Sequence, residues 1–96
     1  LLVTDDDEAF RTRLIRALHA RGFVATGASS YDEAMARARD ESPEFALIDL
    51  KLPGRSGLEL VRDLKALDAT TRIVVLTGYG SIAPAGQNVK LGAEPY

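Results

Sequence analysis

The stretch Phe45-Ala46-Leu47-Ile48-Asp49-Leu50-Lys51-Leu52-Pro53-Gly54 runs four apolar residues together, without alternation, into an aspartate and then a Pro-Gly turn. A strand with one wet face alternates apolar and polar side chains. A strand that is apolar throughout is covered on both faces, as in the middle of a parallel sheet. Ile73-Val74-Val75-Leu76 repeats the pattern and ends at Thr77, with Gly78-Tyr79-Gly80 behind it as a loop. Leu1 to Thr4 is a shorter run of the same kind, stopped by Asp5-Asp6-Asp7, and Phe23 to Ala28 reads as a weaker second strand.

Helical periods separate these runs. From Glu8 to Ala20, Phe10, Leu14 and Leu18 recur at i, i+4, i+8, while Arg11, Arg13 and Arg16 take the other faces and read as solvated; Gly22 stops the helix. Ser30 and Glu33 form an S-x-x-E capping box that opens a helix through Met35 and Ala38, and Pro43 closes that unit. Tyr31 and Met35 read as packing residues. Ser56 and Glu59 form a second such box ahead of Leu60, Val61, Leu64 and Leu67. A fourth helix is expected from about Ser81, short or bent, because Pro84, Gly86 and Asn88 fall near its start and inside it.

Strands alternating with helices, the central strands apolar throughout, predict an α/β fold: an open, doubly wound parallel sheet with right-handed crossovers. Such sheets bind ligands beyond the carboxyl ends of their strands. At 96 residues the chain holds one domain. The absence of Cys excludes disulfides and thiolate metal sites, and a single histidine, His19, cannot build a His cluster. His19 reads as a surface residue near a helix end. Fourteen acidic against twelve basic residues, net −2, are the wrong balance for wrapping nucleic acid. No apolar run approaches the roughly 18 to 20 residues of a membrane span.

If the strands are parallel and adjacent, Asp5, Asp6, Asp49 and Thr77 converge at one edge of the sheet. Crowded carboxylates repel one another and stay ionised only when a cation or hydrogen-bond donors compensate them. A hard divalent ion such as Mg²⁺, which takes oxygen ligands, meets that need. Asp7, at the start of the first helix, reads as its N-cap instead.

The runs Leu2-Val3-Thr4-Asp5-Asp6-Asp7, Ala46 to Gly57 and Ile73 to Tyr79, in that order and spanning essentially the whole chain, resemble the receiver domain of two-component response regulators. The Asp49-Leu50-Lys51-Leu52 stretch, the run from Thr77 to Ala83 and Val89 to Ala93 look most like the redox-responsive regulators of photosynthesis and respiration in proteobacteria. The resemblance implies a flavodoxin-like sheet of order 2-1-3-4-5, here expected to break off before or within the fifth strand, the last strand and helix missing. It implies that Asp49 is the phosphoacceptor, Asp6 a direct Mg²⁺ ligand, Asp5 a ligand through water and Lys51 a ligand through its backbone carbonyl. Thr77 would donate its hydroxyl to a phosphoryl oxygen, and Tyr96 would be the aromatic switch residue. The lysine that the family places shortly after that aromatic would lie beyond Tyr96 and is not assigned; Lys90 does not replace it, since it falls in the segment matching the end of the fourth helix.

The function so implied is that of a cytoplasmic phosphorelay domain. It takes a phosphoryl group from a sensor histidine kinase, partly through helix 1, and alters the face around helix 4 to control a C-terminal DNA-binding output domain outside these residues. No separate substrate turnover is expected. An uncovered sheet edge is compatible with a homodimer. Two other readings compete. A pseudo-receiver would keep the fold as an interaction module without productive phosphorylation. A D-x-D-x-T/V phosphatase would use Asp5 and Asp7, but Ala9 stands where Thr or Val belongs and Asp49 is left without a role.

Overall fold

The computed structural model describes residues 1–76 and 93–94. In chain order these form β1 (Leu2–Thr4), α1 (Glu8–Ala20), β2 (Thr26–Ala28), α2 (Tyr31–Asp40), β3 (Phe45–Asp49), α3 (Gly57–Leu67), β4 (Arg72–Leu76) and β5 (Ala93–Glu94). All strand pairs are parallel and the sheet order is β2-β1-β3-β4-β5. The doubly wound fold expected from the apolar runs is therefore the observed one. The fifth strand, within which the chain was expected to break off, is represented by Ala93 and Glu94, which pair with Ile73 and Val74. The expected fourth helix, Thr77, Lys90 and Tyr96 lie outside the described residues.

Register explains why the central strands are apolar throughout. Leu2 pairs with Ala46 and Thr4 with Ile48, while Ala46 and Ile48 pair with Ile73 and Val75, so these six share one face of the sheet. There they are buried with Ala34, Met35 and Ala38 of α2 and Leu60, Val61 and Leu64 of α3. The opposite face carries Val3, fully buried, with Leu47 and Val74 half-buried. The packing is unequal. The two-helix face is closed, whereas α1 contains no fully buried residue; Leu14 and Leu18 of its predicted stripe are half-buried and Phe10 is 37 % exposed.

Helix ends account for where the predicted elements start and stop. Phe23 N–H donates to Leu18 O and Gly22 N–H to His19 O, both at 3.0 Å, with Gly22 at φ 90°. This is a Schellman closure, which requires a left-handed residue that glycine adopts without strain. It consumes Phe23, so β2 begins only at Thr26, later than the sequence predicts, and Phe23 and Val24 are exposed. His19 has a structural task, its Nε2 accepting from the Ala25 N–H at 3.2 Å.

The two predicted capping boxes differ from expectation. Ser30 Oγ accepts from the Glu33 N–H, but the Glu33 carboxylate reaches past the cap to the N–H and hydroxyl of Ser29. Ser56 Oγ accepts from the Leu58 N–H, and Glu59 turns instead to the Arg55 guanidinium at 3.1 Å. The second box is therefore corrected to a serine cap alone, because a neighbouring arginine offers Glu59 a charged donor.

Candidate functional site

β1 and β3 are adjacent and parallel, so their carboxyl ends bring Asp5-Asp6 beside Asp49. Asp5, Asp6 and Asp49 each offer an oxygen lying within 4.8 Å of the other two. Asp5 and Asp49 are each only 6 % exposed, while Asp6 is exposed at the rim. Sequence-predicted Asp5, Asp6 and Asp49 are thus together, and Lys51 stands beside them, its backbone N–H donating to Asp49 Oδ1 at 3.1 Å. Asp7 is apart from this group in role: its side chain accepts from the Phe10 N–H at 3.0 Å and caps α1, as expected.

Local turns fix the carboxylates. Asp5 Oδ1 accepts from the Asp7 N–H at 2.9 Å, an Asx-type turn that carries the chain from β1 into α1. After Asp49 the chain turns through Gly54, at φ 79°, and returns so that the Gly57 N–H donates to Leu50 O at 3.0 Å. The first residue of α3 therefore lies directly on the backbone of the Asp49-Leu50 segment. A Cβ at Gly57 would run into the Asp49 carbonyl oxygen and stand 2.8 Å from Leu50 Cα.

Burial raises the Asp49 carboxyl above its ordinary 3.8, and the Asp6 charge adds to this; the Lys51 N–H and a hydrogen bond with Asp5 oppose it. Burial likewise raises Asp5, helped by the charges of Asp49, Asp6 and Asp7 and opposed by the Asp7 N–H. The donor set is all oxygen and closely spaced. That is the chemistry of a hard divalent cation site, and the residues fit Mg²⁺ or Ca²⁺ rather than a soft metal.

Two contributors were not singled out from the sequence. Gly57 is one; a glycine at the first helical position, where other residues make better helix, is its only signal. Arg11 is the other. Predicted to be solvated, it instead donates from Nη1 to the backbone oxygen of Asp5 at 2.7 Å. Its signal is Gly27, an isolated glycine inside a strand, which marks close approach of another group.

An open α/β sheet with an acidic, cation-competent cluster at the carboxyl ends of two adjacent inner strands defines a doubly wound ligand-binding domain of the flavodoxin-like order. The chain belongs to the response regulator receiver domain family, whose model matches residues 1–96. It is 48% identical over 96 residues to the acid tolerance regulatory protein ActR of Rhizobium meliloti, covering all of this chain and 50% of that one. It is 47% identical over 96 residues to the photosynthetic apparatus regulatory protein RegA of Rhodobacter capsulatus, covering all of this chain and 52% of the relative. The chain thus spans about half the length of these curated relatives. A crystal structure of a response regulator protein from Burkholderia pseudomallei, with a phosphorylated aspartic acid, a calcium ion and citrate, superimposes with a TM-score of 0.86 at 45% identity. That match covers 99% of this chain and 59% of that one. The likeness to redox and photosynthesis regulators of proteobacteria read from the sequence is borne out by these relatives.

Proposed function

We propose that this receiver domain is a phosphoacceptor switch in which Asp49 takes a phosphoryl group from the phosphohistidine of a sensor histidine kinase. The observation that carries the reading is the convergence of Asp5, Asp6 and Asp49, with oxygens within 4.8 Å of one another, at the ends of adjacent strands. Asp6 directly, Asp5 through water, Asp49 and the Lys51 carbonyl would hold Mg²⁺. Bound there, Mg²⁺ offsets negative charge on the nucleophile and on the phosphoryl oxygens.

The chain's own residues do the rest by position. An Asp49 carboxylate oxygen forms the new O–P bond as the N–P bond of the phosphohistidine breaks, and the bonding pair stays on the imidazole nitrogen, which takes up a proton. The Lys51 N–H holds the carboxylate in orientation by donating to Oδ1. A fixed donor of this kind costs no reorganisation during transfer. Thr77 then donates its hydroxyl to a phosphoryl oxygen and Tyr96 follows that movement. The changed face around helix 4 acts on an output domain that binds DNA, consistent with relatives about twice this length that are named as regulatory proteins. We place the domain in the cytoplasm; no described helix is long and apolar enough to cross a membrane.

Intact mass spectrometry of the full-length protein, incubated with a small phosphodonor with and without Mg²⁺, tests this reading. The expected result is one phosphoryl group, dependent on Mg²⁺ and missing from Asp49→Asn. No added mass on a folded protein, with a competent donor and rapid dephosphorylation excluded, would establish the interaction-module reading instead.

A further inference from the structure

We propose that Arg11 is a positioning residue for the cation site, acting through the peptide between Asp5 and Asp6. The inference rests on the phosphoacceptor reading and concerns how the same site is held. Arg11 Nη1 donates to Asp5 O at 2.7 Å, a charge-assisted bond in a partly buried setting. That oxygen belongs to the peptide linking Asp5 to Asp6, so the bond fixes the plane from which the Asp6 side chain departs. Asp5 is held at three points: its N–H donates to Ala28 O at 3.1 Å, its carboxylate accepts from the Asp7 N–H, and its carbonyl accepts from Arg11. Asp6 is exposed, and no hydrogen bond of its own side chain appears among the described residues, so its direction is inherited from that peptide.

Gly27 makes room for the bond. A Cβ there would lie 3.1 Å from Arg11 Cδ, 3.3 Å from Arg11 Nε and 2.9 Å from Ile15 Cδ1. The arginine stem therefore crosses β2 at the point where the strand has no side chain. Glycine weakens a strand, so its place here is explained by what passes over it. The pair Arg11 and Gly27 acts as a bolt between α1, β2 and the acidic turn.

Charge and position predict opposite signs, which makes the inference decidable. If Arg11 mattered only through its charge, which repels a cation, Arg11→Met would bind Mg²⁺ more tightly than wild type and Arg11→Lys would equal wild type. Positioning predicts instead that Arg11→Met, which keeps the apolar stem, binds Mg²⁺ about tenfold more weakly, the scale typical of groups that orient metal ligands. Arg11→Lys, with its donors on a single nitrogen at a shorter reach, should recover part of the loss. Gly27→Ala keeps the charge and displaces the stem; the atoms it meets are flexible side chains, so the fold is expected to survive and affinity to fall in the same direction.

The test is calorimetric titration of the full-length wild type, Arg11→Met, Arg11→Lys and Gly27→Ala with MgCl₂, beside thermal melts. Weaker Mg²⁺ binding in Arg11→Met and Gly27→Ala at unchanged melting temperature supports the inference. Equal or tighter binding in both overturns it while leaving the phosphoacceptor reading intact. A folded wild type that binds no Mg²⁺ overturns both. Should Arg11→Met fail to fold, Gly27→Ala decides alone.

Discussion

Gly57 and Gly54 show how two glycines separated by two residues serve different physical ends. Gly54 supplies a φ of 79° in the turn after Asp49, a conformation that L side chains rarely adopt. Gly57 has no such backbone demand; it supplies space, because α3 begins against the Asp49 carbonyl and Leu50 Cα. Substitution with alanine would improve helix propensity by at most about 1 kcal/mol, the interior value, since Gly57 is the first residue of the helix. The added Cβ meets backbone rather than the flexible end of a side chain, and overpacking of that kind costs about 1–3 kcal/mol. The collision is thus expected to win. Gly57→Ala should lower stability in urea unfolding by about 1 kcal/mol, and should slow phosphoryl uptake on Asp49 at saturating Mg²⁺. A variant more stable than wild type with an unchanged uptake rate would show that α3 can step back freely and that the contact does not set Asp49.

The helices and strands are joined at the far end of the sheet by a clasp around Asp68, the C-cap residue of α3. The Asp68 carboxylate accepts from the Ser42 hydroxyl, which lies between α2 and β3, and from the hydroxyl and N–H of Thr70 at 2.6 and 2.9 Å. Nearby, Thr71 Oγ1 donates to Pro43 O at 2.8 Å, fully buried. The Ser42 hydroxyl, then Thr70, lower the Asp68 carboxyl from 3.8 to about 2. A depressed acid stabilises the folded state above its unfolded value, and that contribution fades as pH falls from 3.8 through about 2. A carbon-detected NMR titration should find Asp68 at about 2, and Ser42→Ala should move it toward 3.8. An Asp68 that titrates identically with and without the Ser42 hydroxyl would mean the two loops are not clasped in solution. None of this clasp was legible in the sequence, since Ser42 and Asp68 are 26 residues apart and their pairing depends on where two loops end. The strands were legible because burial on both faces leaves an unbroken apolar run, and α2 and α3 because their stripes pack against that sheet. β2 was overestimated because Phe23 is spent on closing α1, an interaction that periodicity does not register. Within the site, Asp5, Asp6 and Asp49 were readable as acidic strand ends. Arg11 was not, since an arginine that reaches back to a carbonyl has the same sequence pattern as one in water.

At the scale of the molecule, the acidic cluster sets function against stability. Burial raises Asp5 and Asp49 above 3.8, so the folded protein binds protons there that the unfolded chain has already released. For a raised group, stability is fully present below the unfolded value and is lost as pH rises through the folded value. The loss therefore begins above 3.8 and is complete once both buried carboxyls are ionised, which separates it from the Asp68 effect below 3.8. A cation that binds only the folded, ionised cluster reverses it by mass action. In chelator, melting temperature should fall as pH is raised from the unfolded value into the range where Asp5 and Asp49 ionise. Added Mg²⁺ should raise it most at neutral pH and least near 3.8, where protons compete for the same oxygens. Asp49→Asn removes one of the crowded charges, so it should melt higher than wild type in chelator, show a shallower pH slope and gain less from Mg²⁺. Differential scanning calorimetry across that pH range, with and without Mg²⁺, reads all three. An Asp49→Asn variant with the wild-type slope would show that Asp49 is solvated well enough to ionise at no cost to the fold.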